Sequence, residues 1–123
     1  MITYTGTLLN LDGVVDAQGD IFDENTIVEL PSRHVPVTFN FHDGPEFVLG
    51  RAKLFFRPGK LCYKIELTDE RLPKYALETL IPCAGGRAKA RNGKNVSHVS
   101  IETVGMAEYR NSDVRIKSLK EQK

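Results

Sequence analysis

The sequence has no tryptophan, two cysteines and three histidines. It has no surplus of either charge sign, with seventeen Lys and Arg against sixteen Asp and Glu. Each scarcity excludes a class. Cys62 and Cys83 are too few for a disulfide framework or a zinc cluster and read as reduced thiols. Cys62 falls in an alternating run and reads as a small buried apolar residue. The even charge argues against a dedicated nucleic-acid binder, which needs a basic excess. No apolar stretch reaches the roughly 18–20 residues of a membrane span. The start, Met1-Ile2-Thr3-Tyr4-Thr5, lacks the basic and apolar regions of a signal peptide. A chain of 123 residues has room for one domain around one core. Neither a cofactor nor a resident metal is expected.

What is present reads mostly as strands. Ile2 to Leu11 is rich in Thr, Tyr and Leu and reads as a strand. Leu11 to Asp20 holds two glycines and three aspartates and reads as a turn-rich loop. A short helix is expected over about Glu24 to Leu30, capped by Asp23 or Asn25 and stopped by Pro31, with a strand as the competing reading because Thr26, Ile27 and Val28 are β-branched. Val35 to Phe41 alternates and reads as a strand that runs into the turn His42-Asp43-Gly44-Pro45. Val48 to Phe56 and Leu61 to Leu67 flank Arg57-Pro58-Gly59-Lys60 and predict a β-hairpin. Leu72 to Leu80 has helical spacing, with Asp69 as a cap and Pro82 beyond its end. Ala84 to Asn95 reads as a basic loop, Val96 to Met106 as a strand, and Val114 to Leu119 as a last strand. The expected class is α+β: one domain over 1–123, mostly an antiparallel, barrel-like β-sheet with one or two short helices.

Few residues offer chemistry. His42 follows an alternating strand and opens a turn, where a rigid element presents a side chain to a cleft. Ser100 lies mid-strand between Val99 and Ile101. With strict alternation, Val96, His98, Ser100 and Glu102 share one face. A Ser–His pair would need hydrogen-bond reach, roughly 2.6–3.2 Å, for the imidazole to take the hydroxyl proton. The bland reading of Ser100 is a small residue on a polar sheet face. Asp12, Asp16, Asp20 and Asp23 lack the spacing of an EF-hand and read as turn formers rather than a calcium site. Arg87, Lys89, Arg91 and Lys94 carry no interleaved aromatics and read as a solvated basic loop that could meet phosphates or an acidic partner.

Taken in order, these pieces resemble the prohead (capsid maturation) proteases of tailed phages, distant relatives of the herpesvirus assemblins. The matching pieces are Gly6 to Leu11 with Asp16-Ala17-Gln18-Gly19-Asp20-Ile21, Val35 to Phe41 with His42-Asp43 and Gly50, Gly59-Lys60-Leu61, the helix Leu72 to Leu80, and Ser100-Ile101. They span about Thr5 to Leu119. The resemblance implies a prohead-protease or assemblin-like fold, with His42 as catalytic base and Ser100 as nucleophile. It implies acyl transfer with backbone amides holding the oxyanion, on scaffold or capsid-protein segments. Glu108 is the candidate third member, with His98 and Glu102 as alternatives. Two departures matter. Glu102 stands where the family has glycine, and 23 residues follow Ser100 where the family continues with another strand and a long tail. Two functions are therefore carried forward: a phage head-maturation serine endopeptidase, or a catalytically inactive relative serving as a capsid decoration or cement protein. A stand-alone binding module is the reading outside the family. The expected partner is the major capsid or scaffold protein, with the domain oligomeric or capsid-bound, in the virion or in host cytoplasm during head assembly. No membrane role is expected, and no nucleic-acid role.

Overall fold

In the computed structural model, the described residues are 2–15, 19–39, 44–68, 80–108 and 115–117. They form eight strands: β1 Ile2–Asn10, β2 Ile27–Glu29, β3 His34–Phe39, β4 Val48–Arg57, β5 Lys60–Leu67, β6 Leu80–Asn92, β7 Asn95–Glu108 and β8 Arg115–Lys117. A single 3-10 turn, Pro45–Phe47, is the helical element among the described residues.

All eight strands belong to one sheet, in the order β1-β5-β4-β3-β7-β6-β8, with β2 also paired to β7. The sheet is mixed and open, where an antiparallel barrel-like sheet was expected. β1–β5, β4–β5, β3–β4 and β6–β7 are antiparallel. β3–β7, β2–β7 and β6–β8 are parallel. Parallel neighbours arise because β2 and β3 reach β7 by long connections, which hairpins cannot make.

Two hairpins follow from their turns. Pro58 and Gly59 join β4 to β5, and Gly59 has φ +73°. Proline fixes the first turn position and glycine tolerates the positive φ of the second. Gly93, φ +61°, does the same between β6 and β7, where Asn92 pairs with Asn95.

The inward faces meet in one apolar cluster. It takes Leu8 and Leu9 from β1, Val35 and Val37 from β3, Ala52 and Leu54 from β4, Leu61 and Ile65 from β5, Ala84 and Ala88 from β6, and Val99, Ile101 and Val104 from β7. A lone sheet cannot cover its own face, so this one curls until β1 nears β6. Phe22, 2% exposed, plugs the cluster from the 19–26 segment. Thr26 anchors that segment by donating its hydroxyl to the Val96 carbonyl, 2.8 Å away.

Three sequence expectations change. The 24–30 helix is absent, and Ile27–Glu29 instead forms β2 against β7. The basic loop over 84–95 is almost entirely strand β6. Pro82 lies inside that strand, opposite Met106. It is tolerated because β8 pairs only at Gly85 to Arg87, leaving Pro82 no second ladder among the described residues. The helix over 72–80 lies outside the described residues, except Leu80, which opens β6.

Candidate functional site

Ser100 sits in the middle of β7 with a strand on each side, opposite Glu29 of β2 and Arg87 of β6. Its neighbours Val99 and Ile101 point into the core, so its own side chain is on the outer face. It is nevertheless 3% exposed.

The close seating has a local cause. Gly86 lies against the Ser100 backbone, and a β-carbon there would overlap the Ser100 carbonyl oxygen. Only glycine lets β6 approach so near. The ladder is irregular beside it: Gly86 pairs with Ile101 and Gly85 with Thr103, so Glu102 is an extra, bulged residue.

Bulges also correct the expected face. Ala90 pairs with His98 and Arg91 with Val96, leaving Ser97 unmatched. Val96 therefore turns into the core, fully buried, while His98, Ser100 and Glu102 remain outside together. Around Ser100 stands a charged frame. Arg87 Nε is 3.3 Å from Glu102 Oε1. Lys89 Nζ donates to Glu29 Oε2, and His98 Nε2 is 3.7 Å from the same oxygen. The Lys89 hydrogen bond, helped by the charges of Lys89 and His98, holds the Glu29 carboxyl below its usual range.

Of the other proposed site residues, His42 lies outside the described residues. Glu108 is the last residue of β7, opposite Leu80, and its side chain also lies outside them. The last described residue of β3, Phe39, is in register with Met106. That is six positions along β7 from Ser100, about 20 Å at a strand's rise.

Sequence reading missed Glu29 and put Lys89 in a solvated basic loop rather than at this site. Both reach the site through pairing between strands distant in the chain. The one local signal was the β-branched run Thr26-Ile27-Val28, which favoured the strand that carries Glu29 to β7.

Asp12 and Asp23 behave as turn formers, and Asp16 lies outside the described residues. Val14 N–H donates to Asp12 Oδ1 at 3.0 Å and Asn25 N–H to Asp23 Oδ1 at 2.9 Å. Asp20 instead meets Arg91 Nη1 at 3.1 Å. Cys62 and Cys83 are free and buried. No cluster of metal-ligating side chains occurs among the described residues, and no described helix is long and apolar enough to cross a membrane.

Chemically, the frame offers a hydroxyl, an imidazole and two carboxylates on one face, with two further cations. Comparison with models of known protein families, with curated proteins and with solved structures finds no match for this chain.

Proposed function

We propose that the chain is a phage head-morphogenesis domain of the prohead-protease type, with an assemblin-like fold, that has become a capsid-associated structural subunit, a decoration or cement protein. The phage-head reading rests on the ordered sequence resemblance. The observation that favours the structural role over the protease is the setting of Ser100. A nucleophile must meet a substrate carbonyl and present its oxyanion to free amide donors. Ser100 is instead buried between two hydrogen-bonded strands, beside the Arg87–Glu102 pair. A glutamate at 102, where the family has glycine, places that ion pair next to the hydroxyl.

The experiment is to purify mature heads and quantify the protein. A fixed, stoichiometric copy number in mature particles supports the structural reading, and absence from them overturns it.

The second reading is an active serine endopeptidase. It is favoured by His98 and Glu29, which pair at 3.7 Å on the face that carries Ser100. Under that reading, co-expression with the capsid or scaffold protein yields cleavage, and Ser100→Ala abolishes it while the domain stays folded. Cleavage unaffected by Ser100→Ala defeats this reading.

A further inference from the structure

Charge that is balanced over the chain is not balanced over the surface. On the outer face of β1, β5 and β4, cross-strand rows place Thr5 beside Lys64 and Lys53, and Asn10 beside Lys60 and Arg57. Arg51 completes five cations, against one carboxylate, Glu66, which lies 3.5 Å from Arg51. Lys53 and Lys64 face each other directly, as do Arg57 and Lys60. Like charges opposite one another in a sheet are destabilising. Among the described residues, none of these four has an ion-pair partner. Beside the Arg57–Lys60 row lies an open groove of about 400 Å³, lined by Phe55, Cys62, Pro58, Arg57 and Lys60 with Gly6 and Thr7.

We infer that this face docks an extended acidic polypeptide segment, with alternate carboxylates along the strands and an apolar side chain in the groove. Spacing favours a peptide. Arg51, Lys53 and Arg57 occupy alternate positions of one strand, so they repeat at multiples of roughly 6.8 Å. An extended chain carries its own alternate side chains at the same interval. The apolar floor takes a side chain that a phosphate backbone does not have. Base stacking, which single-stranded nucleic acid would use, needs open aromatic faces. Phe55 is the one aromatic on this face, and the Arg57 guanidinium already stands 5.3 Å from its ring centre. Carboxylates of a bound segment would meet the like charges that Lys53 and Lys64 present side by side. The surface lies on strands other than those that carry Ser100, so the inference holds for either proposed activity.

The test uses the full chain and a fluorescein-labelled decapeptide alternating Glu with Leu and Ser. The matching peptide with Lys for Glu and a ten-nucleotide oligothymidine serve as comparisons. The acidic peptide is expected to bind, the lysine peptide not to bind, and added sodium chloride to weaken the complex. Lys53→Glu with Lys64→Glu is expected to raise Kd by about tenfold or more. Should that variant lose its β-sheet circular dichroism, Lys53→Gln with Lys64→Gln replaces it, with a smaller rise expected. No binding of the acidic peptide at millimolar protein, binding unchanged in the variants, or tighter binding of oligothymidine each overturns the inference. Ser100→Ala is expected to bind the peptide normally, so loss of docking and loss of cleavage are separate results.

Discussion

The ion pair of Asp20 and Arg91 joins the acidic loop to the β6–β7 hairpin. Its side chains are 7% and 22% exposed. Nη1 is bonded, yet Nε and Nη2 of Arg91 are buried without a hydrogen-bond partner. Such a guanidinium depends on its carboxylate, because removing one partner strands a charge away from water. Asp20→Asn is therefore expected to cost about 2–4 kcal/mol in urea unfolding. Arg91→Met added to it should recover part of that loss, since the stranded charge is gone. A strictly additive double mutant would show that the two residues act independently. None of this was legible in the sequence. Asp20 read as one more turn former, and Arg91 as one of four solvated loop cations, because their partnership spans 71 positions.

Elements were legible where the signal is local. The β4–β5 hairpin is written in Pro58-Gly59 and in the alternation of Leu61, Tyr63, Ile65 and Leu67, with Leu61, Ile65 and Leu67 buried. β6 was not legible. Pro82, Gly85 and Gly86 are poor strand formers taken alone, and the segment becomes a strand because β7 offers it a ladder. Gly86 then reads differently: it is where two backbones nearly touch. Gly86→Ala is expected to destabilise the protein by about 1–3 kcal/mol, as an inserted methyl must displace the Ser100 carbonyl. Gly50 has the same role, with the Glu66 carbonyl behind it. By contrast, Gly13 has open space around its would-be β-carbon and a φ of +76°, a left-handed backbone that asparagine tolerates better than most residues, so Gly13→Asn should cost less than Gly86→Ala. Equal urea midpoints for Gly86→Ala and the parent would refute the close-approach account. The site was legible to the same extent as its elements. Ser100 could be picked out, but the Glu29–Lys89–His98 frame depends on the β2–β7 pairing and on two bulges that no periodicity announces.

For the molecule as a whole, the described carboxylates with shifted titration lie at the joints of the fold. The Asn95 amide, with help from the Asn25 backbone, holds the Asp23 carboxyl below its ordinary range, and Lys89 does so for Glu29. Each has a lower pKa folded than unfolded. Their contribution is therefore present above the unfolded value, about 4, and is lost as pH falls through the folded one. Melting temperature is expected to decline as pH falls below about 4, more gently in Asp23→Asn than in the parent. Parallel declines in both proteins would remove Asp23 from the account.

The central place of β7 has a consequence for biosynthesis. β2, β3 and β6 all pair with it, and β2 has no other ladder partner among the described residues. A ribosome delivers β2 some seventy residues before the strand that receives it. β1, β5, β4 and β3 can pair among themselves as they emerge, but β2 and the second edge of β3 stay unclaimed, and the sheet is joined only when the β6–β7 hairpin leaves the exit tunnel. A nascent chain stalled before that hairpin is the form most exposed to chaperones and to pairing with its neighbours on a polysome.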